Sequence, residues 1–151
     1  MNFSFDIMKI LVLSALILFI DPVAWLADFQ EAQTQARESH KLILLNFAGS
    51  DWCGPCIKMT RDIFEQEVFS QYAKRNLLLV RADFPRLKKN RLEAKQKAHN
   101  EKLADTYNPK GKFPLTLLLD EEGKILKSWD GYTGESPQNF IKEIEGYRNA
   151  H

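Results

Sequence analysis

Cysteine is nearly absent from this chain: Cys53 and Cys56 are the only two in 151 residues. Histidine is scarce as well, at His40, His99 and His151, so no local set of four ligands exists for a tetrahedral metal centre. A disulfide scaffold is also excluded, because one bridge across so short a loop removes little unfolded-state entropy. Ile57 rather than histidine follows Cys56, which excludes c-type haem attachment. No cysteine precedes Cys53, which excludes a lipid-modified cysteine near the N-terminus. Neither a metal nor an organic cofactor is expected.

An excess of charge of either sign is missing too: 21 Lys and Arg stand against 20 Asp and Glu, a formal net charge of +1. No long-range field draws in nucleic acid, which is not expected as a partner. No uncharged run reaches the roughly 20 apolar residues of a bilayer-spanning helix. The run Ile10 to Ile20 follows Lys9 and ends at Asp21 and Pro22, a length that fits a secretory h-region of roughly 7 to 15 residues. Residues 1–24 are therefore expected to be a signal peptide cut after Ala24, or a short membrane anchor. Residues 25–151 are expected to form one domain, since 44% hydrophobic content supplies one core and the length is too short for two. Internal repeats and low-complexity linkers are absent.

Within that domain, Leu26, Phe29, Ala32 and Ala36 recur at helical spacing up to Ser39, with Asp28 placed to cap. Leu42 to Ala48 is a near-continuous apolar run, which predicts a strand buried on both faces, and Gly49 to Asp51 a loop. Cys53 to about Tyr72 reads as one helix with Ile57, Phe64, Val68 and Phe69 inward, and Leu77 to Asp83 as a second buried strand. Leu87 to Tyr107 has the composition of a solvated helix, stopped by Asn108 and Pro109. Leu115 to Leu119 and Lys124 to Trp129 flank a turn at Asp120 to Gly123 as a hairpin. A last helix starts near Ser136 or Pro137 and turns Phe140, Ile141 and Ile144 inward. This order predicts an α/β sandwich with a mixed central sheet.

Trp52, Cys53, Gly54, Pro55 and Cys56 fall where the buried strand hands over to a helix. A cysteine at a helix N-terminus meets unpaired N–H groups and the positive end of the macrodipole, which favour the nucleophilic thiolate. Cys56 lies one turn on, within disulfide reach, so the pair can close a small ring and reopen it by exchange. Pro55 is tolerated in a first helical turn, and Gly54 leaves the approach to Cys53 open. Cys53 is expected to attack and Cys56 to resolve.

With Phe113 and Pro114 in the matching topological place, these five residues make the chain resemble the thioredoxin superfamily over roughly Trp25 to Tyr147, and in particular its exported thioredoxin-like branch. The resemblance implies a thioredoxin fold, an α/β architecture with helices on both faces of a mixed sheet. It implies a thiol:disulfide oxidoreductase that reduces or isomerises disulfides in exported proteins; with the N-terminal run it is expected to be periplasmic or secreted, and a monomer is expected. Because that compartment is oxidising, a reductase there needs a membrane thiol electron donor. The resemblance also implies a cis Pro114 facing the cysteines. A shallow groove for an extended peptide would be lined by Trp52, Gly54, Pro55, Phe113, Pro114, Gly131 and Tyr132, the backbone beside Pro114 pairing with that peptide. For Phe113 and Tyr132 core packing is the alternative.

Three departures stand out. Asn46 occupies the place of thioredoxin's buried aspartate, with one extra residue in the loop that follows, and an amide cannot exchange a proton. Either that role is vacant or Asn46 simply satisfies a buried hydrogen bond. Arg81 falls where the family has a lysine under the sheet. The basic stretch Pro85 to Arg91, with Arg86, Lys88, Lys89 and Arg91, is an insertion, and such runs are ordinarily solvated faces. Two other functions stay open: a peptide-binding or chaperone-like module with incidental cysteines, and a maturation factor for c-type cytochromes. Members of the latter branch typically carry different residues between the cysteines.

Overall fold

The computed structural model describes residues 23–149, so the signal or anchor expected at residues 1–24 lies outside the described residues except for Val23 and Ala24. No helix among the described residues is long and apolar enough to cross a membrane.

The centre of the fold is β2 (Leu42–Ala48), buried along its whole length. Alternation along this strand sends Leu42 and Leu44 into one half of the core and Ile43, Leu45 and Phe47 into the other. β3 (Leu77–Asp83) pairs parallel with β2, and β4 (Leu115–Leu119) pairs antiparallel on its other side. β5 (Ile125–Asp130) closes the hairpin with β4, and a short β1 (Trp25–Leu26) runs parallel to β3. The strand order β1-β3-β2-β4-β5 is a mixed sheet.

Helices cover both faces. α1 (Phe29–Ser39) and α4 (Ala94–Tyr107) contribute Phe29, Ala32, Ala36 and Leu103 to the core half that contains Phe47. On the opposite face lie α2 (Gly54–Met59) with its π-helical continuation Thr60–Phe64, α3 (Glu67–Asn76) and α5 (Pro137–Arg148). Ser136 caps α5 by accepting from the Asn139 N–H at 3.2 Å, and Phe140 and Ile144 are fully buried while Ile141 is half-buried.

The sheet and the hairpin agree with the sequence reading, and four details differ. Leu26 belongs to β1 rather than to the first helix, because Asp28 caps that helix at the Glu31 N–H (3.0 Å) and leaves Leu26 upstream, paired with Val80. The single helix expected from Cys53 to Tyr72 is two, parted at Glu65 and Gln66 after the π-helical turn. That turn carries one residue more per hydrogen-bonded ring, which shifts the inward face onto Met59, Ile63 and Phe64. Ile57 and Val68, expected inward, are therefore exposed, whereas Phe64 and Phe69 are buried. The helix expected from Leu87 begins at Ala94, preceded by a 3₁₀ turn at Lys88–Asn90.

Phe140 meets the rings of Phe64, Phe69 and Trp129 with centroids 6.2, 6.1 and 4.7 Å away. Phe140→Ala leaves a cavity at this aromatic junction. Urea unfolding is expected to show a loss of about 3–5 kcal/mol, the range for a buried phenylalanine.

Candidate active site

The site forms where β2 emerges from the core. The Ala48 carbonyl accepts from Phe84 N–H (2.9 Å), and the Gly49 carbonyl accepts from Trp52 N–H (3.3 Å) and Cys53 N–H (2.9 Å). Asp83 holds the turn through Ser50, accepting its N–H at 2.9 Å and its hydroxyl at 2.5 Å. The Trp52 indole lies so close over Gly49 that a Cβ there would sit 2.3 to 2.6 Å from three ring atoms. Its Nε1–H donates to the Phe84 carbonyl at 2.7 Å, and its ring meets Phe113 edge-on at 5.4 Å.

Immediately after Trp52, Cys53 and Cys56 are joined in a disulfide, with Cys53 as the cap of α2 and its Sγ accepting from Cys56 N–H at 3.3 Å. Both are buried, against Ala48 and the partly covered Trp52 and Phe113. Gly54 and Pro55 are exposed beside them. The Phe113–Pro114 bond is cis. Pro114 is buried and its carbonyl accepts from Gly131 N–H at 2.9 Å, which fixes the Gly131 segment next to it. Among the described residues no hydrogen bond engages the Phe113 backbone.

Tyr132 is half-buried and packs against the core half that contains Met59, Ile63 and Phe64, its hydroxyl donating toward Asp62 Oδ2 (3.5 Å) and the Glu135 carbonyl (3.3 Å). These are core contacts, whereas Phe113 touches the disulfide cluster as well as the core. Asn108, read from sequence only as a helix stop, is buried and braces the approach to Phe113. It accepts from Lys112 N–H and donates to the Lys112 carbonyl, both at 2.8 Å.

Under the disulfide, Asn46 is 1% exposed and donates to Thr116 Oγ1 at 3.0 Å, so it does satisfy a buried hydrogen bond. Arg81 is its register partner on β3 and shares its face of the sheet. The Arg81 guanidinium lies 4.1 Å from the Trp25 ring centroid and 5.7 Å from that of Phe64, with Thr60 Oγ1 at 3.5 Å. No carboxylate is paired with it among the described residues, its Nε has no partner, and burial pulls its pKa below the ordinary arginine value. Arg81 and Cys56 line one cavity of about 380 Å³, together with Ala48, Thr60, Arg61 and Glu65.

The basic insertion is docked on this loop. Asp51 accepts from Arg86 N–H (2.9 Å), Leu87 N–H (3.0 Å) and Asn90 Nδ2 (2.9 Å), bonds that favour its charged form and hold its carboxyl below the usual carboxylate range. The Arg86 guanidinium stacks 3.6 Å over the Trp52 ring. Gly49, Asp51, Phe84 and Asn108 all support the site without having been singled out in the sequence for that role. Only the Gly49 to Asp51 loop offered a signal.

Residues 24–120 match the family described as Thioredoxin-like. The chain belongs to this family. Disulfide bond reductase DsbH of Chlamydia pneumoniae is 39% identical over 99 residues, covering 66% of this chain and 58% of that protein. Thioredoxin-related protein DsbJ of the same organism is 25% identical over 120 residues, covering 80% of this chain and 34% of its own length. A solved structure of a DsbH oxidoreductase shares 30% identity and superposes with a TM-score of 0.77, covering 87% of this chain and 88% of that one. The chain thus spans little more than half the length of one curated relative and a third of the other.

Two outcomes are expected of this thioredoxin-like site. Gly49→Ala drives a Cβ into the indole, so Trp52 must leave its place and the near-ultraviolet circular dichroism of the aromatic bands must change. Asp51→Ala frees the insertion, with amide exchange at Arg86 and Leu87 rising about tenfold as local opening becomes easier. Because the Asp51 carboxyl is held below its ordinary value of 3.8, the clamp persists above that pH and is lost only on further acidification. Amide exchange followed between pH 5 and about 2 checks the direction.

Proposed function

We propose that this chain is an exported protein-disulfide reductase, with isomerisation as a secondary capacity, acting through a mixed disulfide at Cys53. The observation that carries this reading is the Cys53–Cys56 bridge at the start of α2, beside a cis Phe113–Pro114 bond whose Phe113 backbone is hydrogen-bonded to nothing among the described residues. An extended peptide bound there gains strand-like hydrogen bonds and presents its disulfide to the cysteines. Trp52, Gly54, Pro55, Phe113, Pro114 and Gly131 form the groove, and Tyr132 supports it from the core.

In the reduced protein the Cys53 thiolate attacks one sulfur of a substrate disulfide. That S–S bond breaks, and the released substrate thiolate takes a proton from water. Cys56 then gives its proton to solvent, returning the one the first thiolate took, and attacks Cys53 Sγ; the Cys53–substrate S–S bond breaks, the second substrate thiolate leaves and the Cys53–Cys56 bridge closes. Two electrons have passed from the pair to the substrate. A membrane thiol donor reopens the bridge for the next cycle, as an oxidising compartment requires. With Asn46 where an acid could stand, the Cys56 proton has no carboxylate acceptor nearby in β2. Arg81, Arg61 and Glu65 are the charged residues that line the cavity next to Cys56.

Export rests on the run Ile10 to Ile20, and the monomeric state on a single domain with its own core. The name of the DsbH relative and the Gly54-Pro55 dipeptide both favour reduction over oxidation.

The deciding measurement is the reduction potential of the pair, equilibrated against defined thiol buffers. A value near about −270 mV is expected for a reductase, and one near about −120 mV would make the protein a disulfide donor. In a companion assay Cys53→Ser abolishes insulin-disulfide reduction, while Cys56→Ser accumulates the mixed disulfide. Turnover in the Cys53→Ser protein would overturn the attacking role given to Cys53.

A further inference from the structure

The stretch Phe84 to Leu92 carries four cations and no acid, in a chain whose charges otherwise nearly cancel. Such a run on a solvated loop would call for no explanation. This one is ordered from its base. Asp51, in the loop before Cys53, takes the N–H groups of Arg86 and Leu87 and the amide of Asn90, and Arg86 lies on the face of Trp52. Fixing a charged insertion against the residue that precedes the attacking cysteine costs conformational entropy, which a merely solvated face has no need to spend.

The two carboxylates at the base of the insertion, Asp51 and Asp83, are already in use, while Glu93 follows it as an exposed acid. Asp51 is committed to backbone N–H groups, and Asp83 accepts from Ser50 and from Phe84 N–H. Among the described residues none of Arg86, Lys88, Lys89 and Arg91 enters an ion pair, and all four are exposed. Beside them lies a recess of about 520 Å³ that combines the apolar walls of Phe84, Pro85 and Leu92 with the unpaired cations Arg86 and Arg91; Asp83, engaged by Ser50 and Phe84 N–H, and Lys97, paired with Glu101 at 3.7 Å, also line it. A single anionic side chain on an apolar stem fits that lining.

We infer that the insertion is a specificity element that selects partner proteins carrying acidic residues beside the reacting disulfide. Trp52 is the shared wall: one side flanks Cys53, and the other carries Arg86. A partner whose disulfide reaches Cys53 therefore lays its flanking residues along the insertion, where cations without internal counter-charges attract carboxylates and repel lysine or arginine. This inference rests on the exchange activity proposed above and adds the chemistry of the substrate.

The test uses three disulfide-linked fluorogenic peptides with identical residues around the cystine and flanks of Asp and Glu, of Ser and Gly, or of Lys. Reduction by the protein is compared with that by the Lys88→Glu, Lys89→Glu, Arg91→Glu triple variant, whose side chains make no hydrogen bond among the described residues. At low ionic strength the acidic peptide is expected to exceed the Lys peptide about tenfold in kcat/KM. The ratio is expected to fall toward one as salt is added. In the triple variant the preference reverses, while the Ser and Gly peptide turns over equally well in both proteins. Equal rates for acidic and Lys peptides in the unaltered protein, or a preference that survives charge reversal, would overturn the inference. Failure to reduce even the Ser and Gly peptide would instead remove the exchange reading beneath it, and the inference with it.

Discussion

The indole of Trp52 has one place to go, and the geometry of the site depends on it. Gly49 leaves the floor open for the ring, the Phe84 carbonyl takes its only donor, Phe113 meets its edge and Arg86 its face. Four segments remote in sequence are thereby set relative to one another: the end of β2, the end of β3, the insertion after it and the turn before β4. An indole fixed on its floor, edge, face and donor has little rotamer freedom left to lose, so the disulfide next to it sits in a wall that is already formed. That matters for exchange chemistry, in which three sulfur atoms must align and misplacement of the attacking group raises the barrier steeply.

Beneath this wall the electrostatics run opposite to thioredoxin's pattern of a buried acid. Asn46 pairs with Thr116 and carries no charge, while Arg81 is a cation largely removed from water that forms no ion pair among the described residues. Burying an unpaired guanidinium is costly, and the offset comes from the ring faces of Trp25 and Phe64, since a desolvated cation over an aromatic ring is attracted by up to about 2 kcal/mol or more. This gives the two-residue β1 a purpose that its length does not suggest. By pairing with β3 it delivers Trp25 as one of the surfaces against which Arg81 rests. The resulting positive site shares a cavity with Cys56.

Which parts of this were legible in the sequence follows from the range of the forces involved. β2 and β3 announce themselves as apolar runs because both faces of a central strand are buried, and the hairpin because Asp120 to Gly123 is turn chemistry between two strands. The cysteine pair is legible because its chemistry needs that spacing at a helix start. Resemblance to thioredoxins supplied Phe113 and Pro114. What escaped depends on partners far along the chain. β1 is held by β3 and has no pattern of its own in two residues. Asp51 reads as an ordinary loop acid until Arg86 and Leu87, 35 and 36 positions on, bring their N–H groups to it. Asn108 looks like a helix stop, and its amide turns out to clamp Lys112. The π-helical turn escaped for another reason: it adds a residue inside an otherwise continuous helical pattern, and the apolar period on either side conceals the change in phase.

The near-neutral composition also hid something, and the reason is one of scale. A formal charge of +1 excludes a field that reaches far into solvent, but it says nothing about distances shorter than the screening length, about 8 Å at physiological salt. Within that distance what counts is which charges are already paired. Here Asp51 and Asp83, at the base of the insertion, are committed to N–H groups and to a serine, and its cations form no ion pair among the described residues, so they keep their attraction for an incoming group. Placing that attraction against Trp52 ties it to the sulfur chemistry, because only a partner whose disulfide already reaches Cys53 has its flanks within range. A protein of low net charge can in this way gather few partners at a distance and still discriminate among those that arrive.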